Sequence, residues 1–437
     1  MYKKIVFSVF TLIASFMIVY SVVSKCPLLP GIDGPYYLVQ TNYLLKYFKL
    51  KYMDPPLAFF ILAFFRLLIG DPFTALKVGI CVITSIIAVA IFFYADYFIK
   101  DEVQAFLIAL TFVLNSTTFR LLQDFWKNLT GLIWIVLSLY FTAKGVSEDS
   151  KKYSILASIF IVLTYLTHIL DAGVITLIYI FAPILLLVHS IKSIKKMWIQ
   201  VATVALMLAA AFIAPIIVGG DIAKGVAFVK DLLEIEKEVE EFPPIVAVRW
   251  SFIGLLSGAA SLFFSLYYTK RKPAYSLLGA VGIALIALNI PFIERSWLWR
   301  FQLMNGFLLT LALSIILAEV KDKVARVAIL LLLLGFVIYD SAHYLDRGLH
   351  PSIPLLEYAE IKLLVDKLPS DATLLVPNAK LRYWVETVYE NVVKHPTKID
   401  GKLILVIEKK TARKRPPWPL FFRGKFIEAY IVPRLRP

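Results

Sequence analysis

Cysteine is nearly absent: Cys26 and Cys81 are the only two in 437 residues. That excludes a disulfide framework and any cysteine-based metal cluster. Histidine is scarce as well, at five, and no His/Cys grouping has the spacing of a zinc site. A Gly-rich phosphate loop, a Gly-x-Ser-x-Gly elbow and every nucleic-acid module are missing, which argues against an ATP-driven pump. Charged residues make up only 18% of the chain, against about 25% in soluble domains. What is present is apolar: 59% hydrophobic and 14% aromatic residues, with a mean hydropathy of +0.77. This composition excludes a purely soluble enzyme, and it excludes disorder, which needs low hydrophobicity. The net charge is +15, and in a membrane protein such a charge must first be sorted by side of the bilayer.

A spanning helix needs about 20 mostly apolar residues. The sequence offers about eleven such segments, near 5–24, 73–99, 103–119, 128–143, 153–169, 172–190, 197–218, 246–268, 274–292, 299–318 and 324–341. With the N-terminus in the cytoplasm, the inside loops carry Lys3/Lys4, Lys100, Lys144/Lys151/Lys152, Lys192/Lys195/Lys196, Lys270/Arg271/Lys272 and Lys321/Lys323/Arg326. Every one of these short loops obeys the positive-inside rule. The acids Asp33, Asp54, Asp71, Asp124, Asp171 and Glu294 then fall outside. The apolar run at 55–69 is too short to span, holds Arg66 and starts with two prolines; it reads as a short helix at the outer surface. Lys3 and Lys4 precede an apolar stretch too long for a signal peptide, so the first helix is expected to be retained.

From 345 onward the apolar runs shorten. Helical spacing over 353–368 and strand-like runs at 373–376, 402–407 and 426–432 predict a small α/β domain, extracytoplasmic if eleven spans are right. The expected organisation is therefore a transmembrane catalytic domain over 1–344, with a large first outer loop (25–72) and a second outer loop (219–245), followed by the C-terminal domain over 345–437. The basic cluster Lys409, Lys410, Arg413, Lys414, Arg415 is either a solvated loop or a contact for lipid phosphate.

The outer loops hold the candidate chemistry. Asp33 sits between glycines, just before Pro35 and the aromatic pair Tyr36-Tyr37; it reads as a reactive carboxylate or as a helix N-cap. Asp124 lies among Arg120, Trp126 and Lys127, and it reads as a site residue, an ion-pair partner or a cap. His168 and Asp171 are three apart, so one helical face can carry both. A polar pair in an apolar hairpin is expensive, which points to function or to a hydrogen bond that ties the turn. The long loop at 219–245 is a lid or a solvated amphipathic helix. Glu294, Arg295 and Arg300, with Trp297 and Trp299, form either a phosphate site or an aromatic-belt anchor. Arg249, at the exit of the long loop, is a third candidate cation.

Helix 1, a first outer loop bearing Asp33 with Tyr36-Tyr37, then Pro55-Pro56-Leu57 and Gly70 before the next span: this order resembles the GT-C membrane glycosyltransferases. The likeness is to the protein O-mannosyltransferase and aminoarabinose transferase branch. It implies sugar transfer, hexosyl or pentosyl and inverting, from a polyprenyl (dolichyl)-phosphate donor at the outer membrane face. The acceptor would be a lipid, glycan or protein. It makes Asp33 the catalytic carboxylate and Asp124 the assisting acid. Around them Tyr36, Tyr37, Lys127, His168, Asp171, Arg249, Glu294, Arg295 and Arg300 become the expected substrate-binding residues. This sequence departs from the family where Gly34 follows Asp33 and where no Asp-x-Asp/Glu pair surrounds Asp124, which leaves the cofactor, a divalent metal or none, unassigned. Membrane lipids are the further expected partners, nucleic acid is not, and the site is a cell membrane crossed many times. A transporter or lipid-linked-sugar flippase is the alternative; it predicts charges mid-helix and pseudo-symmetric halves, and no internal repeat is found.

Overall fold

The structure, a computed structural model, describes residues 2–187, 194–218, 245–269, 272–290, 295–346, 349–396, 401–410 and 415–433. In chain order the helices are α1 (Tyr2–Val23), α2 (Gly34–Tyr47), α3 (Leu57–Leu68), α4 (Pro72–Ile99), α5 (Glu102–Val113), α6 (Ser116–Asp124), α7 (Trp126–Glu148), α8 (Lys151–Tyr165) and α9 (Ile169–Leu186). There follow α10 (Trp198–Val218), α11 (Ile245–Tyr268), α12 (Ser276–Ala287), α13 (Arg295–Gln302), α14 (Asn305–Ile316), α15 (Lys323–Leu345), α16 (Leu355–Val365) and α17 (Ala379–Glu386). The strands are β1 (Ala372–Leu375), β2 (Val392–Val393), β3 (Lys402–Glu408), β4 (Leu420–Arg423) and β5 (Ile427–Ile431). The expected loop helix at 219–245 lies outside the described residues, apart from the start of α11.

The expected count of about eleven spans is not confirmed among the described residues. Among the described residues seven helices are long and apolar enough to cross a bilayer, eight if the bent pair α5–α6 is one span. The shortfall has a physical reason. The expected windows at 153–169 and 274–292 ran on through turn residues, and the helices found there, Lys151–Tyr165 and Pro273–Ala287, are short. Fifteen residues of α8 rise only about 22 Å, against a hydrocarbon core of about 30 Å. The window at 197–218 falls on α10, 21 residues long, whose last side chains lie outside the described residues. The short apolar run after Pro55-Pro56 does form a short helix, α3.

The chain divides into two compact units. The first comprises 1–21, 55–58 and 80–348. Within it α5 and α6 are bent by 52° at their junction. The bend is held by polar groups: the Asn115 side chain accepts from the Thr117 amide at 2.9 Å, and Thr118 donates to the Phe112 carbonyl at 2.7 Å. From α15, Ser116 meets Asp340, and Ser341 donates to the Leu114 carbonyl. Asn115 is thus a buried helix cap.

The second unit is assembled from 22–54, 59–79 and 349–437. Its sheet has the order β2-β1-β3-β5-β4. The β1 strand is parallel to β2 and to β3, with Leu374 opposite Ile404; β5 runs antiparallel to β3 and β4. One apolar cluster forms around Leu375, Leu405 and Val432. Tyr358 of α16 and Trp384 of α17 meet with ring centroids 5.3 Å apart, and the Trp384 indole donates to Ser352 Oγ at 2.8 Å.

Candidate functional site

In the first unit, α6 carries Arg120 and Asp124 one turn apart, so their side chains meet on one helix face. The Arg120 guanidinium donates to the Asp124 carboxylate. Asp124 is buried and Arg120 nearly so. The expected ion pair of Asp124 with Arg120 is thus formed. Tyr344 of α15 donates to Gln123 at 2.9 Å and stands beside Arg120.

Arg120 also faces aromatic rings. Its guanidinium carbon lies 5.5 Å from the Phe125 ring centre and 5.6 Å from that of Trp299 on α13. Arg300 approaches the same indole, at 5.4 Å, and the Trp297 ring at 4.9 Å. Two guanidiniums thus share one buried tryptophan. Ring faces attract cations without consuming their hydrogen-bond donors. The Arg300 Nε is buried and has no hydrogen-bond partner among the described residues. Such an arginine suits an anion with planar or tetrahedral oxygens. The sequence expectation paired Arg300 with Arg295 and Arg249. Both of those lie on helices, α13 and α11, but their side chains, like Glu294, lie outside the described residues. The second guanidinium that the structure brings to the Trp299 ring is that of Arg120, which the sequence marks only as a counter-ion. The signal available was Arg120 four residues before Asp124 in a polar gap between apolar runs.

His168 and Asp171 do come together at the start of α9, with Nδ1 and Oδ2 3.3 Å apart. The approach lacks hydrogen-bond alignment: neither carboxylate oxygen has a hydrogen-bond partner among the described residues. Asp171 sits in the first turn of α9, where the helix dipole favours negative charge, and Lys127 is within electrostatic reach of His168. The carboxylate lies directly against α7. A methyl group at Gly131 would stand 2.1 Å from Asp171 Oδ2. Gly131→Ala is therefore expected to destabilise the protein by about 1–3 kcal/mol, read as a lower thermal midpoint in detergent.

In the second unit, Asp33 immediately precedes α2 but does not cap it. Its backbone is already helical (φ −85°, ψ −15°) and its side chain makes no cap hydrogen bond. A capping residue needs an extended backbone to fold its oxygen back over the helix end. The N-cap reading is thus not realised, and Asp33 remains half-exposed. The loop before it is pinned by Gly31, in the left-handed region (φ 71°). The Gly31 amide donates to the His350 carbonyl at 3.0 Å, and the Ser352 amide donates to the Gly31 carbonyl at 3.2 Å. Tyr383 of α17 is near enough to feel the charge of Asp33.

Tyr36 and Tyr37 are buried. The Tyr36 hydroxyl donates to Asp54, and Gln40 donates to that hydroxyl at 3.1 Å; burial and the Asp54 charge push the phenol well above its ordinary pKa. Its ring packs on Tyr52, Phe59 and Tyr383. Tyr37 packs on Phe59 at 5.9 Å. These contacts make the pair a rigid wall beside the Asp33 loop. Among the described residues no group of three or more His, Cys, Asp or Glu is placed to hold a metal ion.

The fold is similar to that of ArnT from Cupriavidus metallidurans, solved bound to undecaprenyl phosphate: the TM-score is 0.63 at 11% identity, over 97% of each chain. Apo ArnT from the same organism gives 0.62 at 11% identity, over 96% of this chain and 97% of that one. The archaeal oligosaccharyltransferase AglB from Archaeoglobus fulgidus, solved with an inhibitory peptide and a dolichol-phosphate, gives 0.55 at 14% identity. That match covers 87% of this chain and 63% of AglB, so the chain spans less than two thirds of AglB's length. No curated protein matches the sequence. The GT-C fold expected from the sequence is the fold observed, in a polytopic membrane protein with a small C-terminal sheet. Residues 50–347 match the model of a family described as a 6-pyruvoyl-tetrahydropterin synthase related domain, membrane protein, and the chain belongs to that family.

Proposed function

We propose that this protein is a glycosyltransferase that moves a sugar from a polyprenyl-phosphate donor to an acceptor hydroxyl. The observation that carries the reading is the pair of guanidiniums on Trp299, with a buried Arg300 donor left without a partner among the described residues. A phosphate held there would be stabilised as its charge grows. The neighbours ArnT and AglB were solved with undecaprenyl phosphate and dolichol-phosphate, which supports the donor class. In the proposed step the acceptor oxygen attacks the anomeric carbon and the carbon–oxygen bond to phosphate breaks. Its electron pair leaves on the lipid phosphate, and the acceptor proton passes to Asp33, with inversion at the sugar. Asp124, already bound to Arg120, positions that guanidinium rather than taking the proton. In this reading the reaction occurs at the outer face, with residues 1–344 as the transmembrane domain with its outer loops and 345–437 extracytoplasmic. Cysteine labels at Ser147 and Ser370 should then react from opposite sides of the membrane.

The test of the donor site is binding of undecaprenyl phosphate to purified wild type and to the Arg120→Lys, Arg300→Lys double variant. Lysine keeps charge but loses the planar fork and stacks poorly. Affinity is expected to fall about tenfold, or about 1.4 kcal/mol. Equal affinities would make both arginines interfacial anchors.

A further inference from the structure

A cavity of about 520 Å³ opens in the second unit, where the start of α16 faces β3 and the turn before β5. Its lining is unusual in charge. Lys380, Lys409, Lys410 and Lys425 surround two acids, Glu357 and Glu408. The lysines outnumber the acids, and Lys380 pairs with Glu408 at 3.8 Å. Lys409 is held by the Gly424 carbonyl at 2.5 Å and by Glu428 at 3.5 Å. Lys410 and Lys425 are exposed at the rim.

Glu357 is the telling residue. It is 2% exposed, and its Oε1 is buried without a hydrogen-bond partner among the described residues. An unsatisfied buried carboxylate oxygen costs about 1–3 kcal/mol or more, so its retention beside a cavity asks for a ligand donor. Phe426 adds an apolar ring to the same lining. Burial, with Glu408 and Glu360 nearby and Lys380 opposing them, raises the Glu357 pKa to about 7.

We infer that this cavity is a second ligand site, for a small polyol carrying a strongly acidic group, such as a sugar phosphate or sugar sulfate. The lysines meet the anion, while Glu357 and Glu408 accept from hydroxyls and Phe426 lies under the apolar face of the ring. A volume of this size suits a ligand of one or two sugar rings. The inference rests on residues other than those assigned to sugar transfer, so each can fail without the other.

Calorimetry on the full-length protein in detergent provides the test, with glucose 6-sulfate, glucose and inorganic sulfate as probes. The sulfate ester stays fully charged between pH 6 and 8, so only the protein titrates. Glucose 6-sulfate is expected to bind at least tenfold more tightly than either fragment. The Lys410→Gln, Lys425→Gln variant, altered only at the exposed rim, should lose about tenfold. Glu357 gains its negative charge as pH rises through about 7, so binding of the anion should weaken from pH 6 to pH 8, and Glu357→Gln should flatten that profile. The same lysine variant should bind undecaprenyl phosphate as the wild type does. No binding of glucose 6-sulfate, binding indifferent to the two lysines, or loss of undecaprenyl phosphate binding in their place would each overturn the inference.

Discussion

Asp33→Asn should reduce sugar transfer by about 10²-fold or more while leaving the protein folded. The change keeps the side chain's shape and removes its capacity to accept a proton, and a positioned general base contributes about 10²–10⁴-fold. Folding should be spared because asparagine is nearly isosteric with aspartate, and the Asp33 side chain makes no cap bond to α2 that the change could weaken. Release of polyprenyl phosphate from a labelled donor, measured beside a thermal melt, separates the two effects. Binding of undecaprenyl phosphate should be unchanged, since the proposed phosphate contacts are arginines. Near-normal turnover in a folded Asp33→Asn protein would remove Asp33 from the chemistry.

Breaking the ion pair on α6 should have the largest effect on stability. Asp124 is 6% exposed, and its carboxylate takes the Arg120 guanidinium. Asp124→Ala leaves that guanidinium without its acid, at an expected cost of about 3 kcal/mol. Replacing both partners is a different experiment. Arg120→Met with Asp124→Leu removes both charges together and should recover most of the loss, as apolar substitutes for buried pairs commonly do. That double variant should still fail to bind undecaprenyl phosphate normally. Recovery of stability together with full lipid binding would show that Arg120 serves only Asp124. The two readouts therefore divide structural pairing from ligand contact.

Much of the architecture was legible because it follows periodicity. The run at 73–99 became α4 (Pro72–Ile99), and the strands expected at 402–407 and 426–432 became Lys402–Glu408 and Ile427–Ile431. Long apolar stretches and β-branched runs announce themselves locally. The bend between α5 and α6 did not, because it depends on Asp340 and Ser341, more than two hundred residues away. The short β2 and β4 escaped for a similar reason: two or four residues carry too little alternation, and their pairing partners define them. At the site, Asp33 and Asp124 were visible as acids in polar gaps. What sequence reasoning missed was that Arg120 and Arg300 both reach the Trp299 ring, which only the fold brings about. The pattern Arg120 to Asp124 looked complete in itself, and so concealed the third partner.

The bond between Gly31 and His350 bears on how the protein is made. The ribosome delivers Asp33 early and its backbone partner only after most of the chain has emerged. At roughly 5–20 residues per second, the first loop waits on the order of tens of seconds for the segment that fixes it. Throughout that interval the membrane helices can insert while the Asp33 loop lacks its final shape. A stop codon just before His350 should therefore yield a chain that inserts into the membrane but never organises its proposed base.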